Sequence, residues 1–271
     1  MSADHDTTTH MCLFCARRTT GLTLFGWQFF GGLANAGAAG NGVVLAVLIF
    51  NTAAISGGHL NPAVTFALAV TQQIPPVKMV LYWIAQFVGG IVGAAMYTKI
   101  NIIPGSTEIA TGCTVPKVYP SGQPGLTAGN VFGMEFIATF LLVFTVFGTA
   151  VDPRTGAGNF APIAIGFSLF VSALAIGGFT GAGLNPARTL CPALVHDCWT
   201  KDGPAYEGYP KDNYQWAYVL AQFLAGAFAG LLYKYAFMTR PGDGQKKAAA
   251  AFQFMALESK AIRDRLATKA D

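Results

Sequence analysis

The feature that most constrains this chain is a ten-residue stretch that occurs twice. Residues 56–65 read SGGHLNPAVT, and residues 180–189, which lie 124 positions further along, read TGAGLNPART. In both copies proline directly follows asparagine, the order expected for a helix N-cap and the first helical residue. The apolar run after each copy is soon interrupted, by Pro75 in one case and by Asp197 in the other. Both copies therefore predict half-helices that are too short to span a bilayer.

Two broken helices at equivalent positions of two repeats predict a solute path close to the membrane midplane. Irregular backbone is tolerated at that depth only where it is buried in protein or lines a water-filled cavity. The alternative is an ordinary helix cap that occurs twice by coincidence. Each asparagine is followed four positions later by threonine, at Thr65 and Thr189, and this agreement favours a true duplication.

The composition is that of a multi-pass integral membrane protein. Hydrophobic residues make up 53% of the 271 residues and charged residues only 11%, with a mean hydropathy of +0.45. A soluble domain has about 25% charged residues. The net charge of +4 comes from loops and tails, so it gives no indication of nucleic-acid binding.

The apolar segments predict six membrane-spanning helices around the two half-helices. The predicted spans are residues 19–33, 36–55, 77–100, 131–151, 162–178 and 214–237. The uncharged tract 19–58 must hold two spans and the first half-helix loop, and it barely has the length. The first helix is therefore predicted to be short or eroded.

Lysine and arginine counts predict the orientation of these helices. With six spans and a cytoplasmic amino terminus, twelve of the 17 basic residues fall on the cytoplasmic side. This distribution agrees with the positive-inside rule. The first residues carry no pattern of a cleavable signal.

The five cysteines leave several alternatives open. Cys12 and Cys15 form a C-x-x-C pair, for which zinc binding, redox chemistry and acylation are all possible. Cys191 is predicted to be a small packing residue. Cys113 and Cys198 both fall on the non-cytoplasmic side and can pair if that compartment is oxidising, although their spacing does not establish the bond.

The duplicated Asn-Pro-Ala, with Arg188 after the second copy, resembles the aquaporin or major intrinsic protein family. The similarity covers about residues 42–237, with filter residues of a mixed, plant- or alga-like kind. The resemblance implies an all-α, inverted repeat of transmembrane helices whose two half-helices meet at the midplane. It also implies a homotetramer in the lipid bilayer, with one pore per subunit, no cofactor, no metal and no nucleic-acid partner.

The predicted spans and the resemblance divide the chain into three parts. A cytoplasmic segment, 1–18, precedes a channel domain, 19–238, whose repeats are 19–100 and 130–238. Residues 239–271 form a cytoplasmic tail. Whether the host membrane is the plasma membrane or a vacuolar or other internal membrane is left open.

Motif and resemblance together assign roles to individual residues. The pore asparagines are Asn61 and Asn185, in motifs completed by Pro62, Ala63, Pro186 and Ala187. The carbonyl groups expected to accept hydrogen bonds from permeating molecules are those of Gly57, Gly58, His59, Leu60, Gly181, Gly183 and Leu184. The expected selectivity filter consists of Asn41, Ala173, Ala182 and Arg188.

Glu135 is an acid inside a predicted span, and such a residue is a functional candidate by default. The resemblance implies a structural role, in which the carboxylate binds backbone amides of a half-helix loop; the alternative is a proton relay. The same register in the first repeat falls on Met11, so the chain departs there from the family pattern.

The predicted function is a passive channel for water and small neutral solutes such as glycerol, urea, ammonia or hydrogen peroxide, which excludes protons and ions. The sequence shows no nucleophile paired with a base, no cluster of metal ligands and no phosphate-binding loop, so it does not predict an enzyme. A coupled secondary transporter is one alternative, but it needs ionisable ligands near the midplane, and the spans offer little beyond Glu135 and Arg188. A non-conducting homologue is the other, because the first helix is short.

The filter residues predict a wide constriction. Water-selective members commonly have an aromatic residue and a histidine where Asn41 and Ala173 stand. Against a glycerol specialist, Thr189 stands where such channels usually have aspartate. The filter residues therefore do not decide which solute passes.

Overall fold

The computed structural model describes residues 37–100, 112–117, 125–196 and 214–238. Within these ranges the chain forms seven α-helices. They are α1 Gly37–Ser56, α2 Pro62–Val70, α3 Pro76–Ile100, α4 Ala128–Val146, α5 Ala161–Thr180, α6 Pro186–His196 and α7 Gln215–Leu232. A π-helical turn, Phe147–Val151, extends α4, a 3-10 turn, Gly158–Phe160, precedes α5, and a second π-helical turn, Tyr233–Met238, follows α7.

Four of these segments are long and apolar enough to cross a membrane: Pro76–Met96, Ala128–Val151, Gly158–Thr180 and Gln215–Met238. The part of α1 from Gly40 to Ser56 is apolar but shorter. The chain is therefore a multi-pass integral membrane protein, as its composition predicts. The predicted first span, 19–33, lies outside the described residues, and the question of its length stays open.

The two short helices α2 and α6 lie where the duplicated motif predicts half-helices. Each packs against the last helix of the other half of the chain, α2 against α7 and α6 against α3. Elsewhere α1 packs on α5, and α4 packs on both α5 and α7. This exchange of partners ties the two halves of residues 1–233 into one compact unit. Residues 234–271 form a second unit, and the domain limits proposed from the sequence stay predictions.

The contact between α1 and α5 depends on two glycines that face each other. A Cβ atom added at Gly42 would lie 2.5 Å from the carbonyl oxygen of Gly166, and one added at Gly166 would collide with the carbonyl oxygen of Gly42. The backbones therefore approach as closely as helices without side chains allow. Small residues serve this purpose in membranes, where lipid tails remove the hydrophobic force between helices.

Gly166→Ala should destabilise the protein by about 1–3 kcal/mol, because the added methyl group overpacks the contact between α1 and α5. Gly178→Ala is the matched control on the same helix, since a Cβ at Gly178 meets no atom within 4 Å among the described residues. Thermal unfolding in detergent, read by size-exclusion chromatography, measures both variants. Equal midpoints for the two would contradict this account of the contact.

Candidate functional site

The site begins where the two half-helices begin. Asn61 is the N-cap of α2, and its Oδ1 accepts a hydrogen bond from the backbone N–H of Ala63 at 2.9 Å. Asn185 Oδ1 accepts in the same way from Ala187 N–H at 2.9 Å. Proline occupies the first turn of α2, as the order Asn-Pro predicts. Each motif therefore builds its own helix start from asparagine and proline.

The same two asparagines join the half-helices to each other. Asn61 Nδ2 donates to the carbonyl oxygen of Leu184 at 2.9 Å, and Asn185 Nδ2 donates to that of Leu60 at 3.0 Å. Both asparagine side chains are buried. An amide nitrogen carries two hydrogens, so each cross-bond leaves a second N–H group on the same nitrogen.

Left-handed backbone conformations make these cross-bonds possible. Leu60 has φ 53° and Leu184 has φ 50°, so both leucines lie in a region that β-carbon sterics disfavour. Equivalent residues agree pair by pair, because Gly57 matches Gly181 at φ 83° and 80°. Such strain costs roughly 1–3 kcal/mol per residue and persists only where the surroundings hold it. Here the opposite asparagine holds each leucine carbonyl.

The sequence analysis assigned the carbonyls of Leu60 and Leu184 to permeating molecules. In the structure each accepts a hydrogen bond from the opposite asparagine, and only its second lone pair is left. Gly57, Gly58 and His59 line a cavity, which agrees with an exposed face on the first loop. In the second loop Gly183 directs its N–H group to Glu135.

Glu135, fully buried on α4, accepts four hydrogen bonds. Its donors are Thr180 Oγ1 at 2.7 Å, Gly183 N–H at 2.9 Å, Leu184 N–H at 2.9 Å and Gln222 Nε2 at 3.0 Å. Two of these donors are backbone amides of the second half-helix loop. The geometry is therefore that of an acid that fixes the loop, and all four donors point at its two oxygens.

A second duplication supports the half-helices from outside. Gln86 on α3 donates to Thr65 Oγ1 at 3.0 Å, and Gln222 on α7 donates to Thr189 Oγ1 at 3.1 Å. One turn earlier stand two tyrosines. Tyr82 donates to the carbonyl oxygen of Ser56 at 2.7 Å, and Tyr218 donates to that of Thr180 at 2.6 Å.

The signal for these tyrosines is a repeated Tyr-x-x-x-Gln, at residues 82–86 and 218–222. Residues four apart share one face of a helix. One face of α3 therefore binds both the end of α1 and the start of the half-helix α2. The same face of α7 binds the end of α5 and the start of the half-helix α6.

A cavity of about 800 Å³ leads from the asparagine pair towards the loop between α4 and α5. Its walls combine apolar side chains with the polar groups of the first half-helix loop. Residues on its lining include Leu45, Ile49, His59, Asn61, Leu142, Val146, Ile165 and Asn185. Its outer lining includes Asp152, Thr155 and Asn159.

An ion pair shapes that outer end of the cavity. Arg154 donates to the buried Asp152 carboxylate through Nε at 2.8 Å and Nη2 at 2.6 Å, and Tyr233 Oη donates to it at 3.2 Å. The hydrogen bonds from Arg154 hold the pKa of Asp152 well below its usual range. The carboxylate therefore stays ionised at neutral pH. Its bonds to Arg154 fix the turn at residues 152–154 between α4 and α5.

Arg188 lies on the first turn of α6, three residues after Asn185. Its Nη1 donates to the carbonyl oxygen of Gly112 at 2.7 Å and to Thr114 Oγ1 at 2.6 Å. Both acceptors belong to residues 112–117, a segment that contains no helix. The sequence analysis singled out Cys113 of this segment for a possible disulfide but predicted no contact between the segment and Arg188.

The other three filter candidates lie on α1, on α5 and in the second half-helix loop. Ala173 and Ala182 are buried, and Ala182 Cβ lies 3.9 Å from the position of a Cβ at Gly177, one turn beyond Ala173 on α5. Asn41, on the first turns of α1, has a buried Oδ1 with no hydrogen-bond partner among the described residues. The grouping of Asn41, Ala173, Ala182 and Arg188 in one constriction stays a prediction.

The described cysteines have different states. Cys191 is a buried free thiol that donates to the carbonyl oxygen of Phe87 at 3.4 Å, which fits the packing role predicted for it. Cys113 is disulfide-bonded. Its partner lies outside the described residues, as do Cys12, Cys15 and Cys198, so the pairing of Cys113 with Cys198 stays a prediction.

Comparison with known proteins identifies relatives of this chain. A family model described as Major intrinsic protein matches residues 9–233. The chain is 39% identical over 214 residues to the probable aquaporin TIP2-2 of Oryza sativa subsp. japonica, across 79% of this chain and 74% of the relative. It is 37% identical over 208 residues to aquaporin TIP1-1 of Arabidopsis thaliana, across 75% and 72%.

A solved structure supports the fold. The X-ray structure of the aquaglyceroporin from Plasmodium falciparum matches with a TM-score of 0.67 and 21% identity, over 82% of this chain and 96% of that chain. The all-α, aquaporin-like fold predicted from the sequence is therefore confirmed. The relatives are channels rather than enzymes.

Glu135→Gln should weaken the second half-helix loop, because an amide NH₂ group would then face donors that now meet a carboxylate oxygen. Each buried donor left unpaired costs about 1–3 kcal/mol. The control is Thr139→Val on the same helix, since the buried Thr139 hydroxyl has no hydrogen-bond partner in the described part of the chain. Thermal unfolding in detergent should show a lower midpoint for the first variant alone, and equal stability would show that Glu135 does not hold the loop.

Proposed function

Because the chain belongs to the major intrinsic protein family, we propose that it is a passive, bidirectional membrane channel for water and small neutral solutes. The observation that carries this proposal is the reciprocal pairing of Asn61 and Asn185 at the amino ends of two half-helices, next to a cavity of about 800 Å³. A water molecule that reaches the pair from the cavity meets two amide donors. Passage then needs no chemical step.

Proton exclusion follows from the same geometry. Aquaporin-type pores are the general illustration of selectivity set by diameter, lining groups and electrostatic barriers, and we apply that case here. Each half-helix amino end carries about half a positive charge, so two of them repel a cation. The second N–H groups of Asn61 and Asn185 donate to a passing water oxygen, whose hydrogens then point away along the file. The chain of hydrogen bonds that a proton needs is interrupted at that water.

The acids of the described helices do not offer an alternative proton path at this point. Glu135 already accepts four hydrogen bonds from the loop and from Gln222. With two donors on each oxygen, the carboxylate is occupied by the second half-helix loop and by Gln222. Its role in the proposal is to fix the carbonyl of Leu184 for Asn61.

Selectivity in this proposal comes from Arg188 together with Asn41, Ala173 and Ala182. A guanidinium stays charged and presents donors in a fixed plane, so it binds solute oxygens and opposes cations. The two alanines have small side chains and so leave room for a solute beside the guanidinium, and Asn41 is smaller than the aromatic residue that water-selective members commonly have at this position. A small polar solute such as glycerol or urea therefore fits this opening as well as water does.

The proposed assembly is a homotetramer with one pore in each subunit. The support is the family to which the chain belongs and the apolar outer surfaces of its helices. Exposed apolar side chains on α1 and α5 include Val43, Val47, Phe50, Ile163, Phe167 and Leu174. Such surfaces meet either lipid or a neighbouring subunit in a bilayer.

Stopped-flow light scattering on reconstituted vesicles tests the proposed function. An impermeant osmolyte should shrink the vesicles much faster than empty liposomes, and with glycerol or urea a rapid re-swelling should follow. Water flux equal to that of empty liposomes, from protein shown to be folded and inserted, would contradict the proposal. Water flux without re-swelling would restrict the solute to water.

Asn61→Asp and Asn185→Asp should admit cations, because a carboxylate offsets the positive potential of the two half-helix ends. Planar-bilayer conductance in potassium chloride measures the effect. The control is Asn159→Asp, which adds the same charge at the outer lining of the cavity, away from both helix ends. Conductance that stays at the parental level in both pore variants would remove the midplane barrier from the account.

The double variant Asn41→Phe and Ala173→His should refill the constriction and slow glycerol and urea relative to water. A larger solute then loses a hydrogen bond or its fit, and an unpaired polar group costs about 1–3 kcal/mol. At about 1.4 kcal/mol per factor of ten, the solute-to-water permeability ratio should fall roughly tenfold. If this ratio keeps its parental value in stopped-flow measurements, these residues do not form the filter.

A further inference from the structure

The side chain of His59 stands where the two half-helix loops differ. The equivalent residue of the second loop is Gly183, where an added Cβ atom would lie 2.5 Å from Gln222 Nε2 and 3.0 Å from Glu135 Oε2. No side chain fits there beside the carboxylate. In the first loop an imidazole ring occupies this position and lines the cavity. The sequence analysis gave a role to the His59 carbonyl group but none to its side chain.

Three neighbours among the described residues hold the imidazole ring. Its Nδ1 lies 3.3 Å from Thr65 Oγ1. The ring packs on that of Tyr82, with 4.9 Å between the ring centroids and a tilt of 47°. A Cβ atom added at Gly57 would lie 3.1 Å from Nε2, so the glycine leaves the ring its space. The ring therefore has a defined orientation beside the first half-helix.

The hydrogen bonds of Thr65 decide which ring nitrogen of His59 carries the hydrogen. A hydroxyl group has one hydrogen and two lone pairs. Thr65 Oγ1 donates its hydrogen to the carbonyl oxygen of Asn61 at 3.0 Å and accepts from Gln86 Nε2 at 3.0 Å. One lone pair is left for His59, so Nδ1 is the donor. This arrangement alone makes hydrogen bonds of all three contacts.

The other ring nitrogen, Nε2, is then an acceptor. A neutral imidazole ring with its hydrogen on Nδ1 has a free lone pair on Nε2. A second proton would add positive charge two residues before Asn61, the N-cap of α2, where the helix end is already positive. Nε2 is accessible and has no hydrogen-bond partner among the described residues. Its lone pair is therefore open to the cavity that His59 lines.

We propose that the His59 side chain is a specificity-determining group of the path, in which Nδ1 anchors the ring to Thr65 and Nε2 accepts a hydrogen bond from the permeating molecule. The inference rests on the proposed function and adds a chemical class to it. The acceptor lines the same cavity as Asn61 and Asn185, whose second N–H groups are donors. The class is therefore small neutral solutes that carry their own N–H or O–H groups, such as urea and glycerol.

An acceptor on the wall matters more to such a solute than to water. A water molecule in a file keeps its hydrogen bonds to the waters before and behind it. A urea molecule fills the cross-section and exchanges its hydration for groups on the wall, and a donor left unpaired there is costly. Loss of the acceptor should therefore lower the ratio of urea to water permeability.

Two amide substitutions separate the two ring nitrogens. In His59→Asn the amide NH₂ group can replace Nδ1 opposite Thr65, but no atom reaches the position of Nε2. In His59→Gln the amide oxygen reaches about as far as Nε2 and can replace the acceptor. The urea-to-water ratio should fall roughly tenfold in His59→Asn, which corresponds to about 1.4 kcal/mol, and should stay within about twofold of the parental ratio in His59→Gln.

Stopped-flow light scattering on liposomes that hold the full chain measures both permeabilities. His196→Asn is the matched control, because this histidine does not line the cavity, and it should keep the parental ratio. An unchanged ratio in His59→Asn, or an equal fall in both His59 variants, would overturn the inference. A parent channel that passes water but neither urea nor glycerol would overturn it as well.

The position of the hydrogen has a readout that does not depend on permeation. Solid-state NMR of liposomes with 15N-labelled histidine at neutral pH distinguishes a protonated from an unprotonated ring nitrogen. The spectrum of His59→Asn identifies the His59 signals among those of the four histidines. Nδ1 should be protonated and Nε2 unprotonated, and the reverse would overturn the inference even in a working channel. Absent water flux together with an unprotonated Nε2 would instead refute the proposed function and leave the assignment of the ring in place.

Discussion

Two hydrogen bonds between half-helix loops support everything else at the centre of this protein. Asn61 donates to the carbonyl of Leu184 and Asn185 donates to that of Leu60, at 2.9 and 3.0 Å. Each bond requires leucine in a left-handed conformation, so the loops are strained. Surrounding hydrogen bonds offset the strain. Glu135 on α4 accepts from two amides of the second loop, and a tyrosine and a glutamine on each of α3 and α7 donate to the residues around each loop. The second N–H group on each asparagine Nδ2 is not used by these cross-bonds.

The departures from symmetry are as informative as the symmetry. Gly183 has no room for a side chain, because a Cβ there would lie 2.5 Å from Gln222 Nε2 and 2.6 Å from Thr189 Oγ1. At the equivalent position of the first loop stands His59, which contacts Thr65 and Tyr82 and lines the cavity. The second loop is therefore held by the Glu135 carboxylate, and Arg188 just beyond it binds residues 112–117, whereas the first loop presents the His59 side chain to the cavity.

Hydrophobic periodicity and motif spacing were sufficient to predict much of this fold from the sequence. Asparagine before proline fixed the start of α2, because this pair satisfies orphan amides and pre-sets the first helical residue. Local patterns could not show that the leucine carbonyls accept from the opposite loop, since that contact joins residues more than a hundred positions apart. They also could not place residues 112–117 against Arg188, because an irregular segment in a long loop carries no periodicity. The pairing of Gln86 with Thr65 lay between these cases, visible as a repeated Tyr-x-x-x-Gln but assignable only once the helices were packed.

The central claim is that the paired half-helices pass water and stop protons at the same point. Water flux and proton flux measured on one preparation of wild-type liposomes test it most directly. An osmotic gradient reports the first, and a pH gradient with valinomycin and an internal pH dye reports the second. The account predicts water flux far above that of empty liposomes and proton flux equal to theirs. Proton flux that rises together with water flux would contradict it.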